Sequence, residues 1–553
     1  MKLFLNSKYG FWFILSVITA VLFSFSGLKI AFQSSYTVQD DARQYIFWMQ
    51  QFSDNALFQN DLIVDYFKSV TPIGFSILYR LFSSLGINVF LFNKISILLI
   101  GMATTIYCFK VCYELFPIPF AGFISCLLLN QNLWMVDDLS SGTPRAFIYV
   151  LLLAFVYYLL RKKIILYLLT IVLQGLFYPQ AVLISLTVIT IRLFYQKKYG
   201  KLEAYGLFIG VFILVIYSLK TSDFAPVITA SQAKLLPEFL SEGRSAFFSD
   251  NWIQFWLSDR RSGFFPIEWQ YSLMCGYGVS LWWLKQYPNH FLFVKYINPQ
   301  IKILWQLLAA SILLFFLAHL LLFKLHLPGR YTHHTIRIII ALVNGITITV
   351  LWQKLSLWIK NNQKFSQFLK PICLIILFLA LLYPTYAVQN YPERLGYTTG
   401  KSEQLYQFLQ QQPKNSLIAT LSIEADFIPS LAARSVLIAR EYAIPYHRGY
   451  YEVINQRIRE LIEAQYSLNK QIVINFIKKY QVTLWLIENN AFEVNYLADN
   501  FWLQQFQPET KEAVKILKNK QNILLKKYQD RCTIFQTKSN RILDANCILK
   551  YIE

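Results

Sequence analysis

Charged side chains are scarce in this chain. Asp, Glu, Lys and Arg make up 15% of its 553 residues, where soluble domains carry about 25%. Acids are scarcer than bases, 31 against 52, giving a net charge of +21. The deficit excludes an ordinary soluble globule, because it comes from repeated apolar runs. A run of roughly 20 such residues crosses a bilayer core. Seven Cys and six His follow no metal-finger spacing. A Walker loop, GxGxxG, GxSxG and HExxH are all missing, which removes most soluble enzyme classes. No internal repeat is visible. The excess of base does not point to nucleic acid, because Lys and Arg gather at the ends of apolar runs, as in RKK (161–163), QKKYGK (196–201) and KLSLWIKNNQK (354–364). Those are signatures of cytoplasmic loops.

What is present is apolar and aromatic: 55% hydrophobic residues, with 46 Phe, 35 Tyr and 13 Trp. The expected fold class is mainly α, a polytopic helical membrane bundle of about 10–12 spans with a small C-terminal extracytoplasmic α/β domain. Spans are expected at 11–32, 89–109, 117–135, 145–160, 164–178, 180–195, 203–219, 301–323, 336–353 and 371–388, and residues 71–87 read as a half-buried or re-entrant helix. Basic clusters placed inside put the N-terminus in the cytoplasm and three segments outside: 33–70, the stretch around Asp137, and the LPGRY loop. Closing this topology requires one crossing within 220–300, for which Tyr271–Leu284 is the candidate.

Residues 1–388 are thus expected to form the membrane domain and 389–553 a soluble domain. In the latter, LIATL (417–421), SVLIA (435–439), VTLWLI (482–487) and CTIF (532–535) read as buried strands. YYEVINQRIRELIEAQ (450–465) and KEAVKILKNKQNILLKKY (511–528) carry helical apolar spacing. Cys108, Cys112, Cys126 and Cys373 lie in apolar runs as inert thiols. A disulfide is open to Cys532 and Cys547 if their domain sits outside the cytoplasm.

The first loop is acidic on a basic protein. Between Gln33 and Val70, five Asp (40, 41, 54, 61 and 65) face Arg43 and Lys68, a net of −3. A carboxylate beside a membrane can act as general base on a hydroxyl, or can hold a divalent ion such as Mg or Mn that bridges a phosphate. Adjacent side chains on a helix diverge by about 100°. One of Asp40 and Asp41 is therefore expected to do chemistry while its neighbour holds a partner such as Arg43. The competing reading is a plain helix N-cap. Arg330, in LPGRY, suits a phosphate bidentately. Tyr331, His333, His334 and Arg337 follow it, and a headgroup-facing cluster is the alternative. Asp137, Asp138 and Arg145 either support the same site or form a local ion pair, the favoured reading. Tyr178-Pro179-Gln180 reads as a helix turn. The tail around Asp426, Arg434, Glu441 and His447 is polar enough to line a groove facing the membrane domain.

An N-in first span, an outside Asp pair, many spans, a late Arg-bearing loop and an extracytoplasmic α/β tail together resemble the GT-C superfamily of polytopic glycosyltransferases. That superfamily includes protein mannosyltransferases and oligosaccharyltransferase catalytic subunits. The LPGRYTHHTIR stretch is also similar to one in bacterial membrane proteins. The resemblance implies a bacterial inner-membrane enzyme that uses a polyprenyl-phosphate-linked sugar. Asp40 or Asp41 would serve as base or metal ligand, Asp138 as a second acidic position, and Arg330 with Tyr331, His334 and Arg145 as substrate contacts. The tail departs from oligosaccharyltransferases, for no WWDYG stands in it. The alternative class is a transporter or flippase of anionic or lipid-linked substrates. That would call for ionisable groups near the bilayer midplane, where this sequence offers only Arg80 and Lys94.

Overall fold

The computed structural model describes residues 9–196, 200–219, 223–241, 243–266, 280–361, 366–387 and 393–553. Five helices are long and apolar enough to cross a membrane, and shorter apolar helices join them. The chain is an integral membrane protein.

The first helix, α1 (Tyr9–Ala31), buries only small residues, Ser16, Ala20, Ser24, Gly27 and Ala31. That narrow face lets neighbouring backbones approach closely, as small-residue stripes do within membranes. A Cβ on Gly27 would stand 2.5 Å from the Trp134 ring. The first loop then runs through β1 (Thr37–Gln39), α2 (Asp40–Tyr45), a 3₁₀ turn (Phe47–Phe52) and α3 (Leu62–Val70). The sequence reads DARQYIFWMQQF as an interfacial helix. Instead Phe47, Trp48 and Met49 are buried, and Phe47 packs on Phe58, Phe67 and Tyr442. These apolar side chains find protein rather than lipid.

Next come α4 (Ile73–Ser84), α5 (Val89–Leu115), α6 (Pro119–Leu133) and α7 (Asp137–Ser140). Helix α4 is half-buried, with Phe75 and Tyr79 inward and Ile73, Ile77 and Leu81 exposed. Helix α6 is central, buried along nearly its whole length. The expected spans of the middle region appear as α8 (Phe147–Leu160), α9 (Ile164–Phe177), α10 (Pro179–Gln196) and α11 (Lys201–Leu219). After the long loop come α12 (Lys302–Leu320), α13 (Gly329–Asn361) and α14 (Ser366–Ala387). The crossing assigned to Tyr271–Leu284 lies largely outside the described residues. On one flank the Gly263 carbonyl meets His333 at 3.0 Å. On the other, the Asn298 amide donates to Leu115 O at the far end of α5.

The sequence starts the late span at 336, whereas α13 begins at Gly329. Pro328 opens the turn and nothing in GRYTHHTIR breaks a helix. Arg330, His334 and Arg337 therefore stand at i, i+4 and i+7, on one helical face instead of a loop.

Two strands join distant parts of the chain. β1 pairs antiparallel with β2 (Tyr397–Thr399), Thr37 opposite Thr399 and Gln39 opposite Tyr397. Beyond β2, α15 (Glu403–Gln411) leads into a five-stranded sheet of order β4-β3-β5-β7-β6. Its strands are β3 (Leu417–Ala419), β4 (Ser435–Val436), β5 (Leu484–Glu488), β6 (Thr533–Gln536) and β7 (Asn540–Asp544). β3 is parallel to β4 and β5, while β7 is antiparallel to β5 and β6. Trp485 is fully buried beneath α16 (Arg448–Gln465) and α17 (Lys470–Tyr480), donating to Gln465 at 3.2 Å. The second expected helix is broken in two, α18 (Glu509–Lys518) and α19 (Leu524–Cys532), because Lys520 takes a positive φ at the break. α20 (Ala545–Ile552) ends the chain, and a Cys532–Cys547 disulfide joins it to α19.

Candidate active site

The β1–β2 pairing sets the position of the acidic pair. The Asp40 amide donates to Gly396 O at 2.8 Å. Gly396 has φ +72°, and a Cβ there would meet Gln39 Nε2 at 2.8 Å, so the bend suits glycine alone. The cap of α2 is Gln39, whose side chain accepts from Ala42 N at 3.2 Å. Neither aspartate is spent on capping.

The two carboxylates part company as helical neighbours should. Asp40 pairs with Arg43, which also reaches Glu441 at 3.3 Å. Asp41 turns the other way and meets Arg145 at 2.5 Å. Arg145 also holds Asp137 and Asp138, each at 3.3 Å. The local ion pair expected of Asp137, Asp138 and Arg145 thus exists, and it shares its guanidinium with Asp41.

Asp138 is the hub of the cluster. Arg337 donates to it at 2.7 Å and Tyr149 OH at 2.7 Å, while Arg330 lies at 3.7 Å and His334 Nδ1 at 3.5 Å. Asp137 receives Arg260 from the long loop at 2.6 Å. Burial opposes ionisation of Asp138, but Arg145, Arg337 and their neighbours outweigh it and hold its carboxyl well below the usual range. Arg145 and Arg260 do the same for Asp137 against its own burial. The Tyr45 phenol, buried and facing Asp41, is pushed up to about 12.

Arg145, Arg260, Arg330 and Arg337 therefore face Asp41, Asp137 and Asp138, an excess of one positive charge without counting His334. Among the described residues Arg330 makes a single, long ion pair. Most of its five donors remain available. His334 is fully buried. Since Tyr149 OH donates to Asp138, His334 Nδ1 is the donor in its 3.0 Å contact with that oxygen. Its Nε2 has no partner among the described residues.

A divalent ion needs several hard oxygens free to coordinate it. Here Asp40, Asp41, Asp137 and Asp138 are each already neutralised by arginine. Among the described residues no three His, Cys, Asp or Glu side chains are grouped to hold a metal. The donor set fits an anion better than a cation.

Tyr331, expected to contact substrate, donates its hydroxyl to Leu325 O at 2.8 Å and so closes the turn before α13. Tyr178 makes the expected turn and also stands edge-on to His334, ring centroids 6.0 Å apart. Sequence reading overlooked Tyr149 and Arg260 as site members, because each lies in a segment whose pattern is otherwise that of a span or a loop. Glu441, expected to line a groove facing the membrane domain, holds side chains of two loops instead. That buried carboxylate receives Gln44, Arg43 and Arg244, joining the C-terminal region to the first loop and the long loop. Arg80 is exposed, and Lys94 rests over the Phe32 ring at 5.1 Å.

No family model matches the sequence, and no curated protein does. Among solved structures the chain is similar to the Archaeoglobus fulgidus oligosaccharyltransferase. The apo crystal structure has a TM-score of 0.52 and 13% identity, over 90% of this chain and 72% of that one. The form tethered to an acceptor peptide containing an NVT sequon gives 0.51 and 11%, over 92% and 72%. The archaeal oligosaccharyltransferase AglB from Archaeoglobus fulgidus, in complex with an inhibitory peptide and a dolichol-phosphate, gives 0.52 and 11%, over 91% and 72%. The chain therefore shares its fold, over about nine-tenths of its length, with this oligosaccharyltransferase.

Proposed function

We propose that this protein is a membrane glycosyltransferase that moves a sugar from a polyprenyl-phosphate-linked donor to an acceptor on the extracytoplasmic face of a bacterial inner membrane. One observation carries the reading. The first-loop Asp41 and the α13 Arg330 are both tied to one arginine-rich cluster, through Arg145 and Asp138. The fold shared with an enzyme solved in complex with a dolichol-phosphate supports it, as does the Cys532–Cys547 disulfide, which suits an oxidising compartment.

In this mechanism the donor's phosphodiester enters against Arg330 and draws on Arg145 and Arg260. Competition for Arg145 frees the Asp41 carboxylate to take the proton from the acceptor hydroxyl. The acceptor oxygen forms its bond to the anomeric carbon as the carbon–oxygen bond to phosphate breaks, with inversion. The bonding pair leaves with the phosphate, which gains a second negative charge. The surplus of guanidinium in the cluster is placed to meet that charge. Asp40 stays on Arg43 and positions α2.

The test is envelope glycan analysis of cells carrying Asp41→Asn, Asp40→Asn or Arg330→Ala, with insertion checked by immunoblot. Loss of one glycan species in Asp41→Asn and Arg330→Ala is expected. Unchanged glycans in all three variants would end the reading.

A further inference from the structure

The long loop exposes a compact apolar turn outside every membrane-crossing helix. Asn251 caps it by accepting from the Ile253 and Gln254 amides, both at 3.1 Å. Asp259 closes it by accepting from the Arg261 amide at 2.8 Å and the Ser262 amide at 3.1 Å. Between these polar ends Trp252 is 70% exposed, and Ile253, Trp256 and Leu257 are exposed beside it. Such a concentration of large apolar side chains on one short turn marks a contact surface.

The turn is seated on the end of α12. Phe255 faces inward, with ring centroids 5.6 Å from both Phe247 and His319. Trp256 stands 4.5 Å from His319 and 6.3 Å from Phe315. His319 Nε2 donates to the Ser262 carbonyl at 3.0 Å. The adjoining flank of α12 exposes Leu313, Phe316, Leu317 and Leu320, the last at 80%. That flank belongs to a helix of membrane-crossing length and composition, so the patch continues a wall apolar enough to face hydrocarbon. Paired Trp residues bordered by Asp250, Asn251 and Asp259 have the composition of a bilayer interface, apolar bodies beneath polar rims.

We infer that Trp252–Leu257 dips into the outer leaflet and anchors the long loop to the bilayer, its occupant being lipid acyl chain. Three positions beyond Leu257, Arg260 pairs with Asp137. The Gly329 amide at the start of α13 donates to Arg261 O at 2.9 Å. Membrane contact at the turn thus sets the height of the arginines at the site. The inference does not depend on which reaction the site performs.

The test is a nitrobenzoxadiazole dye on Ile253→Cys in the full chain, reconstituted in phospholipid nanodiscs. Cys373→Ser removes the half-buried thiol; Cys108, Cys112 and Cys126 are buried. Lys511→Cys, exposed on α18, is the aqueous control. At Ile253 the emission should shift to the blue, lose most of its intensity to shallow doxyl-labelled lipids and resist iodide, with the reverse at Lys511. Iodide quenching at both positions would overturn the inference. So would protection of Ile253 from both quenchers, which would mean that protein covers the turn.

Discussion

Asp40 and Asp41 are adjacent in sequence and belong to different networks in space. Asp40 holds Arg43, whereas Asp41 shares Arg145 with the Asp137–Asp138 pair. If Asp41 is the base, Asp41→Asn should lower sugar transfer by about 10²–10⁴. Asp40→Asn should act more weakly, through the placement of α2; equal losses in a transfer assay would refute the distinction. Asp138 should behave as a structural charge. Asp138→Asn removes the negative charge that Arg337 and Arg145 share in a buried setting, at a cost of about 3–5 kcal/mol, read as a lowered Tm in detergent. The acidic pair and Arg330 were legible in the sequence because charge is rare beside long apolar runs. Tyr149 was not, since an aromatic within FIYVLLLAF has the pattern of ordinary span packing. Arg260 was hidden because a loop arginine shows its partner only once the loop folds back on α7.

At the scale of elements, β1–β2 carries the acidic helix. Strands of three residues leave little pattern, and nothing in residues 37–39 announces a partner at 397–399. The sheet strands rich in Val, Ile and Leu could be read directly. β7, with the sequence NRILD, could not, because its polar ends look like loop. Gly396→Ala should loosen the pairing by about 1–3 kcal/mol of backbone strain, seen as faster amide exchange at Val38 and Asp40 with the helical bundle intact. Unchanged exchange would show that the bend is not strained. The Cys532–Cys547 link closes a 15-residue separation, for which loop entropy suggests about 3 kcal/mol. Mass spectrometry of protein from intact cells should find it oxidised; a free thiol at Cys532 would contradict an extracytoplasmic tail.

At the scale of the molecule, Glu441 ties three parts together. Burial, only partly offset by Arg244 and Arg43, pushes its carboxyl up to about 7 from an ordinary 4.5. A group raised on folding stabilises fully below its unfolded value, and that contribution is lost as pH climbs through the folded one. The gap in Tm between wild type and Glu441→Gln should therefore be more favourable to wild type at pH 4.5 than at pH 8. A gap independent of pH would show that Glu441 is not raised. Asp137 and Asp138, lowered instead, matter only in more acid conditions. That the tail faces the membrane domain was legible in its polar residues, but the partners of Glu441 were not, because each contact spans about 200 to 400 residues and leaves no local spacing.

Sugar transfer at this site requires Arg330 and the site arginines to grip a lipid-borne phosphate. The most direct test is the affinity of purified wild type and Arg330→Ala for a polyprenyl phosphate, which needs no knowledge of the sugar or the acceptor. Loss of a charge-assisted contact worth about 1.5–3 kcal/mol should weaken binding roughly 10- to 100-fold. Equal affinity in the two proteins, with Tm unchanged, would contradict the account.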